Sequence, residues 1–197
     1  MLEEIKKYNR ERKDAYRNGV YFEKNIEYER ILSARYTKVS RIKKKIIYLM
    51  NRYNNIYFCT FTFDDYYINK CSRTQKDLIK KTLTMYDKNI KYILNVDYGD
   101  KNGRLHYHGI IATNRINDFR LFLKEYYPCF TSCDLVPTKL QDLNKVSKYI
   151  NKLTNHTTKD STSRKRILCN FVGYDNISTD SHINWCYYIL EKNNLLS

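Results

Sequence analysis

The sequence predicts an α+β fold: a split βαβ antiparallel sheet of ferredoxin-like or RRM-like order with helices on one face, preceded by a helical basic extension. Three observations predict it. After residue 50, segments of strand and helix periodicity follow one another in the order β, α, β, β, α, β. The first 50 residues are dense in Lys, Arg, Glu and Tyr, with one Gly and no Pro, and read as helix or as a partly ordered arm. A length of 197 residues suits one core with a helical appendage rather than two full domains. The division expected is 1–50 for the extension and 51–197 for the catalytic domain.

Tyr57 to Phe63 alternates aromatic and β-branched residues, which predicts a strand that ends at Asp64-Asp65. Thr74-x-x-Asp77 has the form of a capping box ahead of a helix whose Ile79, Leu83 and Tyr86 share one face. Tyr92 to Asp97 and Leu105 to Ala112 read as a hairpin around Asp100-Lys101-Asn102-Gly103. A helix near Ile116 to Glu125 stops before Pro128, a strand follows over Thr131 to Val136, and Leu140 to Leu153 is strongly periodic helix. The polar run 155–165 reads as a loop, Arg166 to Tyr174 as a last strand and His182 to Glu191 as a short closing helix. In this arrangement the second sheet face is left free for a ligand.

A formal net charge of +15 points to a polyanionic partner. The chain also carries 20 Tyr and 8 Phe, and rings interleaved with lysines suit single-stranded nucleic acid, although A+T-rich coding DNA accounts for part of the same richness. Six cysteines (59, 71, 129, 133, 169 and 186) show no C-x-x-C spacing and follow no signal-peptide pattern, as reduced cytoplasmic thiols would. Cys129 and Cys133 make at most half a zinc site, since His156 and His182 are isolated. No apolar run approaches the roughly 20 residues of a membrane span, so the expectation is a soluble protein in the cytoplasm of a host cell, with no membrane partner. No G-x-x-x-x-G-K-[ST] loop occurs, so no nucleotide cofactor is expected.

His106-Tyr107-His108 places two imidazoles on one face of a strand, because side chains alternate with period two. A loop at Lys101-Asn102 sets Asp97 opposite His106, and a loop at Asn102-Gly103 sets it opposite His108. In either register Asp97 joins the histidines. Two imidazoles and a carboxylate suit a divalent ion, Mn²⁺ or Mg²⁺, acting as a Lewis acid on phosphate oxygens. Alone, an H-x-H pair on a half-exposed strand is as readily a bystander as a ligand pair. On the predicted helix, Leu140, Leu143, Val146, Ile150 and Leu153 form one stripe, and Tyr149 sits at its edge between Lys145 and Lys152. A phenol flanked by two ammonium groups ionises more easily than its reference pKa of about 10 implies, which suits a covalent nucleophile.

Three motifs, in order, give the chain its resemblance to the HUH endonucleases, and among them to single-tyrosine rolling-circle replication initiators of plasmids, phages and small single-stranded DNA viruses. Phe58-Cys59-Thr60-Phe61-Thr62-Phe63 is similar to the family's first motif, associated with origin recognition. Gly103-Arg104-Leu105-His106-Tyr107-His108-Gly109 looks like the metal motif, and Tyr149-Ile150-Asn151-Lys152 matches Y-x-x-K. The resemblance implies that Tyr149 forms a 5′-phosphotyrosyl bond, that His106 and His108 bind the metal, and that Lys152 positions the cleaved phosphate. Asp97 stands where many members carry Glu. The DNA contacts expected are Thr60, Thr62, Arg104, Lys145 and Lys148, on single-stranded DNA at an origin hairpin or nick site, with unwinding left to a host helicase.

Two other readings compete. A noncatalytic single-stranded DNA or RNA binder of RRM-like fold would share the element order and use Phe58, Phe61 and Phe63 for stacking. A single-tyrosine transposase or a relaxase would share the histidine pair; relaxases usually place the tyrosine before it, and Lys three residues after Tyr favours an initiator.

Overall fold

The computed structural model describes residues 1–70, 72–98, 104–115, 119–126, 130–152 and 167–171. The basic extension is two helices. α1 (Leu2–Arg17) stops where Gly19 takes a φ of 65°, a left-handed conformation that glycine adopts without a Cβ penalty, and the Val20 N–H returns to the Ala15 carbonyl at 2.9 Å. Asn25 caps α2 (Ile26–Met50), its side-chain oxygen accepting from the Tyr28 N–H at 3.1 Å. Ile5, Tyr8, Ile31 and Leu32 form a small core between the two helices.

Five strands follow: β1 (Asn55–Phe63), β2 (Lys91–Tyr98), β3 (Leu105–Thr113), β4 (Phe130–Pro137) and β5 (Ile167–Cys169). They pair antiparallel in the order β4-β1-β3-β2-β5. The first four have the order expected of a split βαβ sheet, and β5 adds an edge beside β2. The connecting helices are α3 (Asp65–Ile68), α4 (Ser72–Tyr86) and α5 (Phe119–Tyr126); a 3-10 turn (Leu140–Asp142) leads into α6 (Leu143–Ile150).

Period-two alternation sorts the sheet into two faces. Cys59, Phe61, Phe63, Tyr92, Leu94, Tyr107 and Ile111 pack with Ile79, Leu83 and Tyr86 of α4 and Phe119 and Leu123 of α5, as expected. The opposite face is not open. Ile56, Ile93, Ile110 and Ala112 pack there with Ile42, Ile46 and Leu49 of α2 and Ile150 of α6, so helices cover both faces. Burying those three α2 side chains contributes on the order of 5–9 kcal/mol at about 1.5–3 kcal/mol each, comparable with the whole stability of an ordinary domain. α2 therefore belongs energetically to the sheet, although residue 50 was the natural place to divide the chain by composition. The i, i+4, i+7 spacing of Ile42, Ile46 and Leu49 was the legible sign.

Other differences are local. α4 begins at Ser72, so Thr74 lies inside the helix rather than capping it, and Asp64 instead caps α3 by accepting from the Tyr67 N–H at 2.8 Å. The helix expected over Leu140 to Leu153 is a 3-10 turn followed by an α-helix that ends at Ile150. Gly109 sits in the middle of β3, paired with Cys59 and Leu94, where an added Cβ would run into the Ile93 carbonyl. The turn at 100–103, Leu153, the loop 155–165, the closing helix at 182–191, and Cys71, Cys129 and Cys186 lie outside the described residues. Cys59 and Cys169 are free thiols. Among the described residues no helix is long and apolar enough to cross a membrane.

Candidate metal and nucleophile site

The hairpin takes the first of the two registers, with Asp97 opposite His106 and Asn95 opposite His108. On the other side of β3, Thr62 pairs with His106 and Thr60 with His108. All six positions share the face that α2 and α6 cover in part. One ligand atom from each of Asp97, His106 and His108 falls within 4.8 Å of the others. Nε2 of His106 is 3.5 Å and Nδ1 of His108 is 3.7 Å from Oδ2 of Asp97.

The donor chemistry fits a divalent ion. Nδ1 of His106 donates to the Arg104 carbonyl at 3.1 Å, which fixes the tautomer and leaves the Nε2 lone pair facing Asp97. Both ring nitrogens of His108 are buried without a hydrogen-bond partner, an arrangement that a cation would satisfy. The nearby Ile150 carbonyl is already occupied, accepting from the Asn95 amide at 2.7 Å. Burial pushes His108 down to about 4, against the opposing pull of Asp97, so its ring is neutral and available for coordination near pH 7. The hydrogen bond with Asp97 raises His106 above its ordinary value despite burial. Burial alone would raise Asp97, but His106 and Lys152 hold its carboxyl below the usual range.

α6 brings the nucleophile candidate to the same place. Tyr149 is the penultimate residue of the helix and remains 46 % exposed. Its ring lies 5.0 Å from that of His108 and meets Phe58 edge-on at 5.6 Å, centroid to centroid. Lys152, just past the helix end, places Nζ 2.7 Å from Oδ2 of Asp97 and 5.3 Å from the centre of the Tyr149 ring. The phenol is thus bordered by an ammonium group that the carboxylate already holds.

The end of α6 is fastened by groups that spacing did not single out. Asn95 takes the Ile150 carbonyl, Arg35 of α2 donates through Nε to the Asn151 carbonyl at 2.9 Å, and Asn151 returns its own amide to the Ser147 carbonyl at 3.1 Å. The last carbonyls of a helix need such partners when buried, and here the partners come from β2 and α2. Asn95 was findable, because it lies two residues before Asp97 and so on the same face; Arg35 belongs to a segment that read as an outlying arm.

The expected DNA contacts divide. Thr60 and Thr62 lie half-buried beside the two histidines. Arg104 turns inward, donating to the Phe63 carbonyl at 2.7 Å and pairing with Asp65 at 3.0 Å. Lys145 and Lys148 are exposed on α6, and Lys148 is near enough to Lys43 of α2 to help lower it, after burial.

A split βαβ sheet that presents a carboxylate and two histidines beside a helix-borne tyrosine defines a class of metal-capable, replication-type folds. The chain belongs to the replication-associated protein ORF2 family, whose family model matches residues 56–161 and so spans all three motifs. No curated protein matches the chain. It is also similar to a solved structure, that of the hypothetical protein ORF119 from Sulfolobus islandicus rod-shaped virus 1, at 26% identity and a TM-score of 0.41, over 55% of this chain and 90% of that one. At that TM-score the likeness carries no argument.

Proposed function

We propose that this replication-associated protein is an initiator endonuclease that nicks single-stranded origin DNA with Tyr149 and rejoins it. One observation carries the reading: an exposed tyrosine packs on a histidine of the Asp97, His106 and His108 triad, with Lys152 bonded to the triad's carboxylate. The Tyr149 hydroxyl oxygen attacks the scissile phosphorus in line and loses its proton. The bond to the 3′ oxygen breaks, that oxygen takes up a proton, and the 5′ phosphate stays on the tyrosine. An incoming 3′-OH reverses the step, so the bond energy is conserved and no nucleotide is consumed. A divalent cation, Mn²⁺ or Mg²⁺, held by Asp97, His106 and His108 would supply Lewis-acid polarisation of a non-bridging oxygen.

The chain's own residues do the positioning. Phe58 and His108 fix the phenol ring, Asn95 and Arg35 fix the helix end that carries it, and Lys152 offers an ammonium to the cleaved phosphate. The net charge of +15 draws the strand. A complete replication cycle with one tyrosine needs a second subunit or a hydrolytic step, and duplex opening falls to a host helicase. The binding-only reading has less support: Phe61 and Phe63 are fully buried under α4 and α5, and the opposite sheet face carries helices where an RNA-recognition domain needs open aromatics.

The test is incubation of wild type and Tyr149→Phe with a pool of labelled single-stranded DNAs and Mn²⁺, followed by denaturing electrophoresis. A covalent band that vanishes with Tyr149→Phe or EDTA supports nicking. A protein that binds the pool but forms no band on any DNA, origin hairpins included, returns the reading to the binding module.

A further inference from the structure

The α1–α2 hairpin holds an open groove of about 880 Å³, at the upper end of the roughly 300–1,000 Å³ of ligand clefts. Its lining pairs rings with cations: Tyr16, Tyr21 and Tyr36 alternate with Lys13, Arg17 and Lys24. Tyr16 and Tyr21 are each 88 % exposed, far more than a tyrosine needs for packing alone. The acid on the groove wall is already neutralised, since Glu29 accepts from Arg12 at 2.6 Å and from the Tyr8 hydroxyl at 2.8 Å. Arg17 makes a long, exposed contact of 3.4 Å with Asp14, a kind of pair that contributes little and is easily exchanged for phosphate.

The groove also adjoins the site. Tyr36 follows Arg35 in α2, and Arg35 holds the carbonyl of Asn151, two residues past Tyr149. From Tyr36 the wall runs back along α2 to Glu29, about 10 Å at 1.5 Å per residue. We propose that this groove binds single-stranded DNA flanking the scissile phosphate, with bases stacked on Tyr16, Tyr21 and Tyr36 and phosphates neutralised by Lys13 and Lys24. Rings supply sequence-tolerant stacking and lysines supply counterion release, the two components of single-strand binding. That the strand bound here is the one cut rests on the nicking role of Tyr149; binding itself does not.

The test uses the full chain and labelled oligo(dT) of about 30 nucleotides, which requires no nick site. Tyr16→Ala/Tyr21→Ala lowers affinity about tenfold or more, as expected for lost stacking of about 1–3 kcal/mol per base, and leaves the salt dependence unchanged. Lys13→Gln/Lys24→Gln lowers affinity and flattens the slope of log K against log salt by about 0.7 per lysine. All four side chains line the surface, so an unchanged thermal transition accompanies both variants. Photocrosslinking with 5-iodouracil in the strand labels the tryptic peptide of residues 18–24. Unchanged affinity in the tyrosine variant, as a groove reserved for a protein partner would give, overturns the proposal. So does an equal loss on duplex DNA, which would leave phosphate contacts without stacking. A chain that forms no adduct through Tyr149 yet shows these losses keeps the groove and loses the nickase; a chain that nicks while the tyrosine variant binds normally does the reverse.

Discussion

The Lys152 ammonium meets Oδ2 of Asp97 at 2.7 Å, on the same oxygen that faces Nε2 of His106 and Nδ1 of His108. Lysine and a divalent ion therefore seek one carboxylate oxygen. The ammonium neutralises a buried carboxylate that would otherwise be costly, and a bound cation would release it toward the phosphate.

Replacing Lys152 separates those two roles. Lys152→Met is expected to bind Mn²⁺ about tenfold more tightly, from the loss of a charge-assisted competitor of about 1.5–3 kcal/mol, while cleaving and rejoining DNA more slowly. Isothermal titration with Mn²⁺ and a nicking assay on the same preparation check it. Weaker metal binding in the variant would mean that Lys152 organises the triad rather than competing for it. Asp97→Asn and His108→Ala are expected to weaken Mn²⁺ at least about a hundredfold, beyond the loss typical of outer-shell partners.

The triad's protonation gives two pH dependences of opposite sign. His108 is depressed to about 4 in the fold against 6.5 in the unfolded chain, so the unfolded state binds the extra proton between those values. Its contribution is complete above pH 6.5 and falls by about 2–3 kcal/mol as the pH drops toward 4. His106 is raised, so its contribution is present below pH 6.5 and fades as the pH rises through its folded value. Urea unfolding of metal-free protein at pH 7 and pH 4.5 measures the balance, and His108→Gln should remove the acid-side loss. Mn²⁺ affinity should increase from pH 6 to pH 8 by up to about tenfold per unit as the His106 proton is displaced.

Asn95 tests whether the helix end matters to chemistry as well as to stability. Asn95→Leu leaves the Ile150 carbonyl without its 2.7 Å partner, which costs about 1–3 kcal/mol of stability. If the bond positions Tyr149, the rate of adduct formation falls at least about tenfold at saturating DNA while Mn²⁺ affinity stays within about twofold. A rate unchanged in the folded variant would leave Asn95 with a structural role alone.

Much of this was legible in the sequence. Alternation over Tyr57–Phe63 and over the hairpin placed Phe61 and Tyr107 in the core and Asp97 and the two histidines together on the other face, because period two leaves no freedom once the register is limited to two choices. The tyrosine helix was visible in its apolar stripe, but its end was not. Asn151 closes it through bonds to Arg35 and to its own helix, and contacts across more than a hundred residues leave no local trace. The covering of the second sheet face was missed for a related reason. The lysines that dominate the composition of α2 lie largely on its outer side, while Ile42, Ile46 and Leu49 are buried against the sheet. Arg104 looked free for phosphate because its inward partners, the Phe63 carbonyl and Asp65, lie about forty residues earlier.

Gly109→Ala tests the close approach of β2 and β3 beneath the site. With a Cβ directed at the Ile93 carbonyl, the hairpin must shift, at about 2–3 kcal/mol and a fall in Tm of roughly 5–10 °C. Metal binding should weaken with it, since Gly109 adjoins His108. An unchanged Tm by calorimetry would show that the strands accommodate the methyl group.

The most direct measurement is mass spectrometry of a tryptic digest after reaction with DNA that the protein cuts. Cleavage after Lys148 and Lys152 isolates Tyr149 in a peptide of residues 149–152. The account predicts that this peptide carries the nucleotide mass through a 5′-phosphate. An adduct on any other of the 20 tyrosines, or cut DNA with a free 5′ end and no adduct at any time point, would contradict it.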